Sequence, residues 1–239
     1  MFTKWFKTAL PGLLITGMTM NVLANDVEKI QAKLKEVIPN APAATIEKSP
    51  VAGVYQVSVG PNVIYMSADA KYLFNGSLVD LTTRENLTEM AKNNARMQTL
   101  AKMNEAAMIV FPAKGETKHT LTVFTDIDCP YCKKFHNEVA TLNENGISVR
   151  YLAFPRSGPQ TPSYHKMVSI WCAKDRRQAM DDAKKGKDVT EAVCENPIME
   201  QMIQAQNFGI SGTPTLILDN GQMIPGYVPA QELIQALNP

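Results

Sequence analysis

Two cysteines three positions apart, Cys129 and Cys132, are the residues of this chain whose type and spacing carry the clearest chemistry. A thiolate that attacks a disulfide forms a mixed disulfide, and a second thiol one helical turn along can displace the bound partner and close an internal disulfide. The surrounding residues supply such a placement. Residues 121–125 (Leu-Thr-Val-Phe-Thr) read as a strand, residues 126–128 as a short loop, and Pro130 fits the first position of a helix, where a missing N–H is no loss. Cys129 then stands at the N-cap, where free backbone N–H groups and the helix dipole favour negative charge, with Cys132 one turn inward. The pattern predicts an exposed nucleophile backed by a resolving thiol, which suits isomerisation or reduction. Asp126 and Asp128 oppose thiolate formation and Lys133 and Lys134 favour it, so residue types alone leave the net pKa open.

C-x-x-C is also the commonest fragment of a zinc site, but a second cysteine pair is missing and His119 and His165 have no ligand spacing. His136, four residues after Cys132, reads as a packing or surface residue of the same helix. No flavin, nicotinamide or metal motif is present, and the dithiol is expected to act without a bound cofactor. Cys172 and Cys194 belong to no motif, and their spacing leaves open a disulfide or two buried free thiols.

The elements that must position these residues begin after a targeting segment. Lys4 and Lys7 precede an apolar run over residues 9–20 and then Val22-Leu23-Ala24, the pattern of an export signal (residues 1–24) cleaved after Ala24. That run is shorter than the roughly 20 residues a membrane span needs, so no membrane insertion is expected. Export to an oxidising compartment permits stable disulfides. The chain carries 24 Lys and Arg against 23 Asp and Glu, and loss of Lys4 and Lys7 leaves 22 against 23, without the basic excess that nucleic acid attracts. With 45% hydrophobic and 20% charged residues, disorder and coiled coil are disfavoured and a globular protein is expected.

Apolar Val27, Ile30, Leu34, Val37 and Ile38 recur at helical intervals over residues 26–38. Prolines at 39, 42 and 50 break the helical pattern beyond that point. Residues 54–59 and 63–66 read as strands joined at Gly60-Pro61-Asn62, and residues 72–74 and 78–81 as a hairpin turning at Asn75-Gly76. Residues 25–82 thus form a small α+β unit that buries little surface alone and is completed most simply by a second copy. Residues 84–108, free of Gly and Pro, predict a helix connecting two domains, and their patchy apolar stripe leaves open whether it is a strut or packs on a core. From His119 the pattern is α/β: strand 121–125, helix 130–144, strand 147–154, helical stretches over 164–208, strands at 215–218 and 223–224, and a closing helix over 229–237.

The C-x-x-C motif, with Gly212-Thr213-Pro214 downstream just before a strand, resembles the thioredoxin-fold oxidoreductases, in which such a proline is cis and lies against the active-site cysteines. Residues 123–126 (Val-Phe-Thr-Asp), 129–132, 149–156 (Val-Arg-Tyr-Leu-Ala-Phe-Pro-Arg), 170–175 (Ile-Trp-Cys-Ala-Lys-Asp) and 209–214 closely resemble the periplasmic disulfide isomerases of the DsbC family. The resemblance spans nearly all of the mature chain. It implies a V-shaped homodimer with an α+β N-terminal dimerisation domain (25–82), a linker helix (83–108) and an α/β thioredoxin-like C-terminal domain (109–239) with a helical insertion at about 159–208. It implies that Cys129 attacks misplaced disulfides of exported proteins, that Cys132 resolves, that Thr213 and Pro214 form a substrate-facing cis-proline loop, and that the membrane reductase DsbD keeps the pair reduced. Cys172 and Cys194 match the structural disulfide of DsbC, which the DsbG branch is not expected to have. The dipeptide Pro130-Tyr131 instead resembles DsbG, linked to reduction of sulfenic acids on single cysteines. Isomerase is therefore the first expectation and the DsbG-like reductase the second. A chaperone-type dimer with secondary thiol activity is an alternative of another class, whereas the extra N-terminal domain argues against a monomeric DsbA-type oxidase.

Overall fold

A computed structural model describes residues 19–40 and 43–238, so most of the expected signal segment lies outside the described residues. The chain divides into two compact units, the smaller formed by the residues through Ser58 with Ile64–Asn75, the larger dominated by Gly76–Pro239.

In the smaller unit, helix α1 (Thr19–Val37) runs through the expected cleavage point after Ala24. A four-stranded sheet has the order β1 (Thr45–Lys48), β2 (Val54–Val59), β3 (Asn62–Ser67), β4 (Leu73–Phe74). Alternating side chains of β2 and β3 point inward, so Tyr55, Val57, Val63 and Tyr65 are buried, as are Ile30 and Leu34 of α1. The Tyr55 hydroxyl donates to Asp26 Oδ2 at 3.1 Å, tying the sheet to the helix. Strand β1 carries no sequence signal because it is an exposed edge without alternation. The hairpin expected at Asn75-Gly76 is absent. Asp80 Oδ1 instead accepts from the backbone N–H groups of Thr82 and Thr83, Arg84 N–H donates to Asp80 O, and Val79 makes only an isolated bridge to Asn86. The donors that a strand at 78–81 would have used go instead to the start of α2 and to the turn itself, Leu78 N–H to Thr88 Oγ1 at 2.8 Å and Asp80 N–H to Glu85 O at 2.9 Å.

The larger unit opens with α2 (Leu87–Lys102), shorter than the helix expected over 84–108. Asn86 caps its start by accepting from Glu89 N–H at 3.0 Å, and the backbone turns extended at Met103. A short 3-10 turn, Glu105–Ala107, leads into β5 (Ile109–Phe111). Helix α2 packs on this unit: Arg96 is buried and donates to Gly221 O at 2.9 Å and Asn93 Oδ1 at 2.8 Å, and Leu100 joins the core.

The five-stranded sheet has the order β5-β7-β6-β8-β9, with β6 (His119–Thr125), β7 (Ile147–Ala153), β8 (Thr215–Ile217) and β9 (Met223–Pro225). Only the β6–β7 pair is parallel, joined through α3 (Pro130–His136) and α4 (Val139–Glu144). The residue pattern over 130–144 predicts a single helix here, and the structure has two. The break falls at Glu138, whose carboxylate accepts from the Tyr227 hydroxyl and, at 2.5 Å, from Ala230 N–H at the start of α8 (Ala230–Leu237). The insertion between β7 and β8 carries α5 (Pro162–Trp171), α6 (Arg176–Lys184) and α7 (Ile198–Asn207). A disulfide between Cys172, at the end of α5, and Cys194, in the irregular segment between α6 and α7, closes a loop that contains α6, and at a separation of 22 residues chain entropy gives it about 3 kcal/mol of stabilisation.

At Gly221, φ is +80°, and an added Cβ would lie 2.1 Å from Asn93 O of α2. Gly226 has φ +88° with open space around it. Gly221→Ala should therefore lower stability by at least about 2 kcal/mol in chemical denaturation, and Gly226→Ala by about 1 kcal/mol. Equal losses would contradict the close α2 packing.

Candidate active site

Strand register brings the two sequence motifs together. Strands β6 and β8 are antiparallel, with Phe124 opposite Thr215 and Val123 opposite Leu216. The loop leaving β6 and the loop entering β8 therefore meet at one end of the sheet. The first carries Cys129, the second Thr213 and Pro214, whose shared peptide bond is cis. Cys129 is the N-cap of α3 with extended backbone (φ −80°, ψ 120°), Pro130 takes the first helical position, and the Cys129 side chain makes no cap hydrogen bond. The sulfur instead approaches Thr213 O at 3.2 Å. Cys132 lies one turn inward.

The expectation of an exposed nucleophile needs correction, because Cys129 is only 1% exposed, as is Cys132. The cis-proline loop covers the Cys129 sulfur, and the site offers to solvent Asp128, Pro130 and Tyr131, the last 63% exposed. Cys172 and Cys194 stand apart from this group, bonded to each other at the end of α5 and in the insertion.

The two thiols are pushed in opposite directions. Burial by itself raises the Cys129 pKa, but hydrogen bonding at Thr213, at the Cys132 backbone and at the Cys132 side chain, together with the Arg156 charge, brings it below the ordinary thiol value. For Cys132 burial wins and the pKa is raised, although the Lys184 charge and hydrogen bonding with Asp126 and Thr125 work against it. A pair split in this way has one member suited to be a thiolate and one suited to hold a proton.

The charges responsible are not those the sequence pointed to. Lys134 sits over the Tyr227 ring at 4.3 Å. Asp126 is buried, and its carboxylate accepts from Asp128 N–H (3.0 Å), Ser163 Oγ (2.7 Å) and both the backbone N–H (3.1 Å) and Nε (3.0 Å) of Arg156. Burial alone would raise its pKa, and these bonds hold it below the usual carboxylate range. Asp126 thus anchors Arg156, whose charge acts on Cys129. On the other side Lys184, 3% exposed, donates to Thr125 Oγ1 at 2.9 Å and Asp126 O at 3.0 Å. In the sequence Arg156 is only the last residue of the family-like segment 149–156, and Lys184 lies in the charged run Asp-Asp-Ala-Lys-Lys-Gly-Lys over 181–187, so neither stands out as a group acting on the thiols. His136 is buried with both ring nitrogens engaged, by the Tyr151 hydroxyl at 3.0 Å and Asp181 at 2.8 Å, so it packs and is not turned toward the thiols. Among the described residues no group of three or more His, Cys, Asp or Glu is placed to hold a metal ion.

A C-x-x-C at a helix N-terminus, facing a cis-proline loop across a β-sheet of this order, defines a thioredoxin-fold thiol oxidoreductase. A family model of a thioredoxin-like domain matches residues 105–239, and one of the disulfide bond isomerase protein N-terminal domain matches residues 21–89. The thiol:disulfide interchange protein DsbC of Escherichia coli is 40% identical over 198 residues, covering 82% of this chain and 81% of that protein. DsbC of Haemophilus influenzae is 36% identical over 219 residues, covering 91% and 92%. A crystal structure of a disulfide interchange protein from Neisseria gonorrhoeae superposes with a TM-score of 0.50 at 31% identity, covering 56% of this chain and 97% of that one. The chain belongs to the DsbC family. Among the described residues no helix is long and apolar enough to cross a membrane.

In the reduced protein, thiolate absorbance at 240 nm should rise first in a step with its midpoint below the ordinary thiol pKa, and Cys129→Ser should remove that step. The stability this lowered pKa gives the reduced form is fully present above the unfolded thiol's pKa and is lost as pH falls through the folded value. A first midpoint at or above the ordinary value would contradict the assignment.

Proposed function

We propose that this chain is a periplasmic protein disulfide isomerase and reductase in which Cys129 is the attacking thiolate and Cys132 the resolving thiol. The observation that carries the reading is the Cys129–Cys132 pair at the α3 N-terminus with the Cys129 sulfur 3.2 Å from Thr213 O of the cis-proline loop, in a chain of the DsbC family. Cys129 attacks one sulfur of a misplaced disulfide, forming a mixed disulfide and freeing the other sulfur as a thiolate. If that thiolate or another substrate thiol attacks in turn and a new substrate disulfide forms, Cys129 leaves as a thiolate and no net electrons move. If Cys132 attacks first, the two active-site cysteines form a disulfide, the substrate leaves reduced by two electrons, and the dithiol must be regenerated. The membrane reductase DsbD is the proposed donor, and misfolded disulfide-containing exported proteins are the substrates. Thr213 and Pro214 form the substrate-facing loop beside the exposed Pro130 and Tyr131. Cleavage after Ala24 would release the mature protein to the periplasm.

The working protein is proposed to be a homodimer joined through residues 25–82, with 83–108 as linker and 109–239 as catalytic domain. An open cavity of about 450 Å³ in the smaller unit supports this, lined by Leu34, Val37, Ile38, Met66, Tyr72 and Leu73 among others. Several of these apolar side chains are exposed, Val37 by 65% and Tyr72 by 64%, a surface that a second copy would cover.

Purified mature protein should restore activity to a scrambled multi-disulfide protein in a mildly reducing glutathione buffer, and Cys129→Ser should reduce the recovery to the uncatalysed level. Light scattering should give twice the chain mass. Recovery independent of Cys129 would overturn the reading. No recovery together with rapid reduction of a sulfenylated single-cysteine protein would assign the DsbG-like reaction that Pro130-Tyr131 resembles, whereas aggregation suppression alone would leave a chaperone.

A further inference from the structure

Lys184 closes the last turn of α6 and is almost fully buried, yet among the described residues it forms no ion pair with a carboxylate. The nearby Asp126 carboxylate is occupied by Arg156, Ser163 and the Asp128 N–H, and only its backbone oxygen accepts from Lys184. An ammonium group has three N–H donors, and Lys184 places two, on Thr125 Oγ1 and Asp126 O. A buried cation is costly unless negative charge or hydrogen bonds compensate it. Asp126 O, which accepts from Lys184, also accepts from Cys129 N–H at 3.3 Å at the start of α3, the helix whose first turn carries the buried Cys132. Lys184 and Cys132 are thus two sides of one small buried cluster at the end of β6. Of the charges acting on Lys184, a Cys132 thiolate is the strongest attraction, and Lys184 is the foremost influence opposing burial at Cys132.

We propose that Lys184 is a positioning residue for the resolving step: held by Thr125 and Asp126, its ammonium lowers the cost of forming the Cys132 thiolate and so shortens the life of the mixed disulfide. The proposal rests on the reading of Cys132 as the resolving thiol. In this step the Cys132 thiol loses its proton to water, and the thiolate attacks Cys129 Sγ. The bond between the two cysteines forms as the bond from Cys129 to the substrate sulfur breaks. The electron pair leaves with the substrate sulfur, which takes up a proton, and Lys184 stays charged throughout. The consequence is a bias: with Lys184 charged, the enzyme escapes slow substrates by reducing them, and with Lys184 neutral it stays bound longer and leaves more time for rearrangement.

Burial brings the Lys184 pKa down to about 8, so the help should fade in mildly alkaline solution. The charged and titratable groups that act on it are Cys132 and Lys133 of α3 and Asp126 and Cys129 of the active-site loop, with His136 and its partner Asp181 beside them and Arg156 held by the Asp126 carboxylate. Asp126, the carboxylate that acts on Lys184, is already paired with Arg156, which leaves a Cys132 thiolate as the group to balance the buried ammonium.

The test uses the mature full-length protein with Lys184→Met, which removes the charge at similar length, and Lys184→Arg, which keeps it at every pH. A mixed disulfide with a single-disulfide peptide is formed, quenched in acid at intervals and measured by mass. At pH 7, Lys184→Met should lengthen its lifetime at least fivefold, with Cys129 alkylation within twofold of the parent. At pH 9 the difference should shrink to less than twofold, and Lys184→Arg should resolve as the parent does at pH 7. A change under fivefold at pH 7, or the same slowing at both pH values, would overturn the proposal. If Lys184→Met does not fold, as judged by circular dichroism, Lys184→Gln is read against the same limits. Failure of the underlying reading would look different, since Cys132→Ser would then not prolong the mixed disulfide at all.

Discussion

The antiparallel pairing of β6 with β8 is the constraint on which the site depends. Because Phe124 lies opposite Thr215, the loop after one strand and the loop before the other emerge side by side. Cys129 meets Thr213 O across that gap, although 84 positions separate them in the chain. A register slip of one residue would turn every side chain of β8 to the wrong face and carry Thr213 away from the sulfur. Leu121, Val123, Phe124, Leu216 and Ile217 are buried on both faces of these strands, so a slip would also displace each from the close-packed position it fills. Core packing and active-site geometry are in this sense one specification.

Around that junction the protein manages charge in a low-dielectric setting. Burying both thiols raises the cost of either thiolate, and the fold restores the balance unequally. Asp126 is the organising group. Its carboxylate fixes the loop through Asp128 N–H, holds Arg156 toward Cys129 and reaches Ser163 of α5, while its backbone oxygen accepts from Lys184. One residue therefore links both cations that act on the cysteine pair to the strand that carries it, and one face of the site to the helical insertion. The disulfide between Cys172 and Cys194 lies in that same insertion, between the helix that brings Ser163 and the segment after Lys184.

The fold and much of the site are legible in the sequence because the relevant signals are local. The strand at 121–125, the proline at the first position of α3 and the Gly212-Thr213-Pro214 run are each read from a few neighbouring residues. The features that escape such a reading depend on contacts distant in sequence. Glu138 splits one predicted helix into two because its carboxylate is taken by residues near the C-terminus. Strand β5 has only three residues and owes its place to pairing with β7. Arg156 and Lys184 resemble any surface cation in sequence, and only the tertiary structure buries one and directs the other toward a thiol. The predicted exposure of Cys129 fails for the same reason, since the covering loop comes from the far end of the domain.

The central claim is that Cys129 is the residue that carries substrate. It is tested most directly by acid-quenching turnover on a disulfide-bonded protein and mapping by peptide mass which cysteine is joined to it. The account predicts the mixed disulfide on Cys129, with its yield raised by Cys132→Ser. Substrate found on Cys132, or on Cys172 or Cys194, would contradict it.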